Sequence, residues 1–217
     1  AALLFNYRSV TYTFVPDAAA GVARVTADPA LAGTLIDTTV ALGTGPCNDW
    51  RGALKARFEP GTTRFAGQYA AACGELSWPV ADPVPATYEA RLLEALWRDM
   101  GGLLHGSVHE GLAPPDQKPS FELRSPALAE VVRDINKYSN NLMAQQLFLT
   151  LALQANPGVA ATPEAARDTL ARWLAERTGE LGDEVVIDNG SGLSRLTRIT
   201  AQRLARLLTQ SFDSAVM

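Results

Sequence analysis

The sequence NKYSNN at residues 136–141 places a lysine, a serine and three asparagines between two apolar runs. Ser139 and Asn141 form a Ser-x-Asn element, and Lys137 lies two residues before the serine. A hydroxyl beside a lysine can relay a proton, and a carboxamide offers a donor and an acceptor that suit a peptide amide. The same residue types are typical of a helix start, where serine and asparagine cap free N–H groups. The pattern therefore fits either one wall of a catalytic cleft or an ordinary helix–helix turn.

A second polar stretch, IDNGSGLSR at residues 187–195, contains Asp188, Ser191 and Arg195. It is not the Gly-x-Ser-x-Gly nucleophile elbow, because residue 189 is asparagine. One interpretation is a strand-to-helix turn in which glycine supplies a positive φ. The other is a tight loop that brings these side chains to a site, where Arg195 would bind a substrate carboxylate with two hydrogen bonds.

Metal, nucleic-acid and membrane functions find little support in the sequence. His105 and His109 have the spacing of helical metal ligands, but Gly106 and Val108 make that segment strand-like, so we predict no metal site. The chain has 19 lysine and arginine residues against 23 aspartate and glutamate residues, and no basic cluster, which argues against a nucleic-acid surface. No apolar run has the length of a bilayer span. The sequence implies no cofactor.

The composition changes near residue 85 and predicts an α+β chain in two parts, 1–85 and 86–217. Before this point, alternation of apolar and polar residues predicts short antiparallel strands, at 9–15, 54–59 and 64–69. After it, apolar residues at helical spacing predict several helices, including a central, buried helix from Leu142 to Leu153. Other helices are predicted to begin after caps at Ser125, Thr162 and Thr200. Short strands are also predicted in this part, at 103–108, 120–125 and 184–188.

The two cysteines, Cys47 and Cys73, flank a stretch of turns and short strands in the first part. Two interpretations are open for them. They are either unrelated buried thiols or a disulfide in an exported protein. Neither neighbourhood supplies a histidine or a second cysteine at the spacing of zinc ligands.

The two polar stretches, and the order in which they occur, resemble those of a known protein family. The segment INKYSNNLMAQQLFLTLA followed by DNGSGLSRLTRITAQRLARLL resembles the class C low-molecular-mass penicillin-binding proteins. These are D-alanyl-D-alanine carboxypeptidases/endopeptidases of the bacterial periplasm. The earlier FNYRSVTYTFVPD and the paired cysteines resemble the extra domain that this family inserts into its catalytic domain, so the resemblance covers essentially the whole chain. It implies that Cys47 and Cys73 form a disulfide.

The resemblance also implies roles for the candidate residues. The family uses three motifs, Ser-x-x-Lys, Ser-x-Asn and Lys-Thr-Gly. Ser139 and Asn141 match the second, in which the serine passes a proton towards the leaving amine and the asparagine holds the substrate's peptide amide. The family's Asp-Gly-Ser-Gly-Leu-Ser-Arg stretch occurs here with an additional Asn189, so that Asp188, Ser191 and Arg195 would line the cleft. The implied partners are peptidoglycan stem peptides and, for the intact enzyme, β-lactams.

Two of the three motifs are missing from this sequence. No serine has a lysine three residues later, and none of the three lysines is followed by Thr-Gly. We therefore expect an internal fragment of such an enzyme, comprising the inserted domain and the helical part of the catalytic domain, without its nucleophile. The alternative is a non-catalytic cell-wall-binding homologue that has lost the nucleophile.

Overall fold

The strands of the first part follow from alternation of buried and exposed side chains. In the computed structural model, which describes residues 4–112, 114–212 and 214, strand β1 (Ser9–Asp17) buries Val10, Tyr12 and Phe14 on one face. This strand confirms the one predicted at 9–15. The other strands are β2 (Val22–Asp28), β3 (Leu35–Ile36), β4 (Thr39–Gly43), β5 (Ala56–Glu59), β6 (Thr62–Phe65), β7 (Gln68–Ala70) and β8 (Leu76–Ala81).

These strands form two sheets. A five-stranded sheet has the order β7-β4-β2-β1-β8, and a three-stranded sheet has the order β3-β6-β5. Most neighbours are antiparallel, as predicted, but β4 pairs with β7 and β3 pairs with β6 in parallel. The predicted strand at 64–69 is divided between the sheets, because Gly67 packs against the backbone of Ala53 and Leu54, where a Cβ would not fit.

The two sheets enclose a core rich in aromatic side chains. Phe14 of β1 stacks on Tyr69 with ring centroids 5.4 Å apart and meets Phe65 edge-on at 5.1 Å. The Tyr12 hydroxyl and the Thr63 hydroxyl share a buried hydrogen bond of 2.8 Å that joins β1 of one sheet to β6 of the other. Burial raises the pKa of the Tyr12 phenol, in keeping with its apolar surroundings.

A disulfide joins Cys47 to Cys73 within this part, as the resemblance implied. Cys47 lies in the loop before helix α1 (Trp50–Ala53), and Cys73 ends a short 3-10 helix (Ala71–Cys73) after β7. The bond therefore connects two irregular segments that no backbone ladder would hold together. It restricts the unfolded chain across a loop with a sequence separation of 26 residues.

Contacts group the chain into two compact units, 1–118 and 119–217. Helix α2 (Tyr88–Asp99) lies beyond the predicted boundary at residue 85, yet it contributes Tyr88 and Leu92 to the core of the strand-rich unit. The Tyr88 hydroxyl donates to the Ser9 carbonyl at 2.8 Å, and Arg91 forms an ion pair with Asp82, which is only 5% exposed. Which residues constitute an inserted domain stays a prediction.

The second unit is helical. Its elements are α3 (Leu128–Lys137), α4 (Asn141–Ala155), α5 (Pro163–Thr178) and α6 (Ala201–Phe212). Helix α4 packs between α3 and α5, so the predicted central helix is confirmed, with Phe148 and Ala152 buried. Its burial is incomplete, because Leu151 and Leu153 are 42% and 45% exposed. The Thr162 cap and the helix after Thr200 are confirmed as well.

Several predicted elements are wrong. Residues 103–108 and 120–125 are irregular. Residues 184–188 form no strand, and among the described residues they make one isolated antiparallel bridge, between Val186 and Arg198. Helix α3 begins after Ala127 and not after Ser125, because Pro126 is followed by one more extended residue, Ala127, with ψ 144°. The proline-rich stretch at 78–88 begins inside strand β8.

The hydrogen bond between Tyr12 and Thr63 gives a first prediction. Tyr12→Phe should lower the free energy of unfolding by about 1–3 kcal/mol, because the buried Thr63 hydroxyl loses its partner. Adding Thr63→Val should restore most of the loss, since both polar groups are then replaced by apolar ones of similar shape. Urea unfolding followed by near-ultraviolet circular dichroism measures both values. The matched control is Thr13→Ala, on the same strand as Tyr12, which removes an exposed hydroxyl pair with Ser77 of β8.

Candidate active site

The connection between α3 and α4 consists of three residues, of which Ser139 is the most constrained. Ser139 has φ +54°, in the left-handed region that non-glycine residues rarely adopt. The Asn140 N–H donates to the Ile135 carbonyl at 2.9 Å, which is the six-to-one bond of a Schellman motif with Ser139 at its left-handed position. A serine there is strained by roughly 1–2 kcal/mol relative to a helical residue.

Asn140 caps the next helix. Its Oδ1 accepts from the Met143 N–H at 3.1 Å, so the cap interpretation of NKYSNN is correct for Asn140. The Ser139 side chain is exposed, as are those of Lys137 and Tyr138. The backbone N–H of Asn140 therefore closes the end of α3, and its side chain caps the start of α4. The serine is presented at the outside of the turn.

Asn141 connects this turn to the Gly-Ser-Gly loop. Its Nδ2 donates to the carbonyl oxygen of Ser191 at 2.6 Å. A backbone carbonyl only accepts, so the chemistry of the contact fixes which end of the Asn141 carboxamide is nitrogen. The structure thus brings together two of the five predicted site residues across 50 positions of sequence.

The loop is shaped by Asn189 and Gly190. Oδ1 of Asn189 accepts from the N–H of Ser191 at 3.1 Å and from its hydroxyl at 2.8 Å, which is the Asx-turn geometry expected of an Asn-Gly sequence. Gly190 has φ +68°, and a Cβ on it would lie 2.5 Å from Cβ of Phe148. The loop backbone therefore lies directly on α4, and glycine is required at residue 190 for both reasons.

Asp188 is held by its main chain. Arg167 of α5 donates to the Asp188 carbonyl at 3.4 Å and to the Glu164 carboxylate at 2.6 Å. The pKa of Glu164 is lowered, first by its own backbone N–H near the start of α5 and then by Arg167. Arg167 thus joins the loop to α5, which the sequence did not indicate.

A backbone bridge and helix α6 hold the segments that flank the loop. Val186 and Arg198 exchange two backbone hydrogen bonds of 2.9 Å, which bring both ends of the loop together. Arg203 of α6 donates to the carbonyl oxygens of Thr178, Gly179 and Glu180, and pairs with Glu184 at 2.7 Å. This one guanidinium therefore satisfies carbonyls at the end of α5 and anchors the segment that leads into the loop.

The remaining candidates are less constrained. Arg195 is exposed at the end of the loop. His105 and His109 lie in an irregular segment, and within the described residues no group of three metal-binding side chains comes together. No helix in the described ranges is long and apolar enough to cross a membrane.

The fold is similar to that of a penicillin-binding protein. The solved structure of penicillin binding protein 4 from Haemophilus influenzae, complexed with a novel β-lactam, matches with a TM-score of 0.58 and 18% sequence identity. The match covers 96% of this chain and 48% of that one, so the chain spans about half the length of that protein. The chain belongs to the D-Ala-D-Ala carboxypeptidase 3 (S13) family, which it matches over residues 1–217. No curated protein matches it.

The contact between Gly190 and Phe148 gives a second prediction. Gly158→Ala, at φ +85° with open space around it, should destabilise the chain by about 1 kcal/mol through backbone strain alone. Gly190→Ala adds a clash with Phe148 and should cost at least about 1 kcal/mol more, as overpacking does. Urea unfolding of the two variants measures this difference. Equal losses would mean that the loop does not need its close approach to α4.

Proposed function

We propose that this chain is part of a serine-type D-Ala-D-Ala carboxypeptidase/endopeptidase that trims peptidoglycan stem peptides through an acyl-serine. The observation that carries the proposal is the hydrogen bond from Asn141 of the Ser-x-Asn element to Ser191 of the Gly-Ser-Gly loop. Two stretches that the family resemblance assigns to one cleft are in contact. Family membership supports the reaction class.

In this proposal Ser139 and Asn141 act on the substrate. The Ser139 hydroxyl passes a proton towards the leaving amine, and its exposure at the outside of a strained turn suits that role. The Asn141 carboxamide is already fixed by Ser191 and holds the peptide amide of the substrate. Preorganised polar groups of this kind need no reorganisation when the substrate arrives.

The loop would supply the remaining contacts. Arg195 is exposed and would bind a carboxylate of the stem peptide. We propose that Asp188 and Ser191 line the cleft. The Ser191 hydroxyl already donates to Asn189 and accepts from the Leu193 N–H at 3.2 Å, so its contribution to a substrate would come through the main chain.

The nucleophile and the third motif would come from residues outside this sequence, since it contains neither Ser-x-x-Lys nor Lys-Thr-Gly. The proposed location is the bacterial periplasm, where the Cys47–Cys73 disulfide would persist. The rival function is cell-wall binding without catalysis, in a homologue that keeps the cleft and lacks the nucleophile. Family membership alone is compatible with both.

A covalent-labelling experiment tests the proposal. The 217-residue chain should show no mass increase after incubation with a fluorescent penicillin, because acylation needs the missing serine. The polypeptide encoded by the complete gene should form a one-to-one adduct, on the serine of an upstream Ser-x-x-Lys, as intact-mass and peptide mass spectrometry would show. Stem-peptide binding by a complete polypeptide that has no such motif and forms no adduct would favour the rival. An adduct on the short chain would contradict our prediction.

Ser139→Ala separates catalysis from capping. We expect the unfolding free energy of the chain to change by less than about 0.5 kcal/mol, because the cap belongs to Asn140. Asn140→Ala, the matched control, should lose about 1 kcal/mol. In the complete enzyme, Ser139→Ala should lower turnover by about 10²–10⁴-fold, the range for a proton-transfer group. Unchanged turnover with lower stability would instead assign Ser139 to structure alone.

A further inference from the structure

Asn189 lies at the centre of the hydrogen bonds that shape the Gly-Ser-Gly loop. Its Oδ1 accepts hydrogen bonds from both the N–H and the hydroxyl of Ser191. The Ser191 hydroxyl then accepts from the Leu193 N–H, so the chain of bonds continues across the turn. These contacts hold the N–H of Ser191 and the N–H of Leu193, so they fix the peptide groups before and after the one that carries the Ser191 carbonyl.

The carbonyl of Ser191 belongs to the peptide group between those two, and it accepts from Asn141. The Nδ2···O distance is 2.6 Å, and a rotation of the Ser191 peptide would break this bond because it would carry the carbonyl oxygen away from Nδ2. The loop backbone lies against α4 at Gly190, where a Cβ would be 2.5 Å from Phe148 Cβ, and Gly192 lies beside the Asn141 carboxamide, where a Cβ would make an ordinary contact of 3.7 Å with Nδ2.

We infer that Asn189 is a positioning residue for Asn141, acting through the Ser191 peptide. The inference rests on the proposed function, in which Asn141 contacts the substrate. Holding one Nδ2 hydrogen on Ser191 fixes the plane of the carboxamide, and Oδ1 then accepts an N–H of the bound peptide. Asn189 touches no substrate atom itself. Its carboxamide oxygen decides whether the Asn141 carboxamide has one orientation or several.

Nuclear magnetic resonance on the labelled 217-residue chain tests this directly. The measurement is the coupling across the hydrogen bond between the Asn141 side-chain nitrogen and the Ser191 carbonyl carbon, with the hydrogen exchange rate of the Asn141 side-chain amide. Asn189→Ala should abolish the coupling and accelerate exchange. Asn189→Asp should preserve both, because a carboxylate oxygen accepts the same two hydrogen bonds.

Asn156 is an internal control. Its Nδ2 donates to the Ala152 carbonyl at a distance of 3.3 Å, and neither residue belongs to the loop. Its exchange rate should be the same in all variants. If Asn189→Ala does not fold, Ser191→Ala is the second variant. It removes the hydroxyl bonds to Asn189 and to the Leu193 N–H, keeps the bond from the Ser191 N–H to Asn189, and should weaken the coupling.

An unchanged coupling in Asn189→Ala or Ser191→Ala, or no coupling in the unmodified chain, would overturn the inference. None of these outcomes depends on acylation. A failure of the positioning role is therefore distinct from a failure of the proposed function, which the penicillin adduct decides.

Discussion

The hydrogen bond from Asn141 to the Ser191 carbonyl is the constraint on which the second unit's candidate site depends. It links the first residue of α4 to the loop between α5 and α6. The loop can reach it only because Gly190 adopts a positive φ and has no Cβ to meet Phe148. Arg167 of α5 then holds the Asp188 carbonyl, and Arg203 of α6 holds the segment 178–184 that leads into the loop. One short polar contact thus organises elements that are far apart in sequence.

Patterns with a local cause were predictable from the sequence. The strand at β1 follows from strict alternation, and the start of α5 follows from the Thr162 cap followed by proline. Both signals act within a few residues and need no partner elsewhere. The contact between the Ser-x-Asn turn and the Gly-Ser-Gly loop was predictable only through the family resemblance, since nothing in either stretch specifies the other.

Elements that need a partner were not predictable in this way. Residues 103–108 have strand-like alternation, but a strand exists only where another strand supplies the ladder, and none pairs with them in the described residues. The Asx turn at Asn189 had a visible signal, because Asn-Gly is a strong turn sequence. Its role towards Asn141 depends on where the Ser191 carbonyl points, and that direction is a product of tertiary packing.

The turn at Ser139 separates the structural and chemical interpretations of NKYSNN. A glycine at this position would adopt φ +54° without strain, and it would keep the Schellman bond and the helix cap, because Asn140 makes both. The hydroxyl is therefore not required for the two capping bonds that define the turn. A strained residue whose side chain is exposed beside a preorganised carboxamide is what a site for proton transfer needs. The local backbone thus supports the chemical interpretation of Ser139, while the capping interpretation belongs to its neighbour.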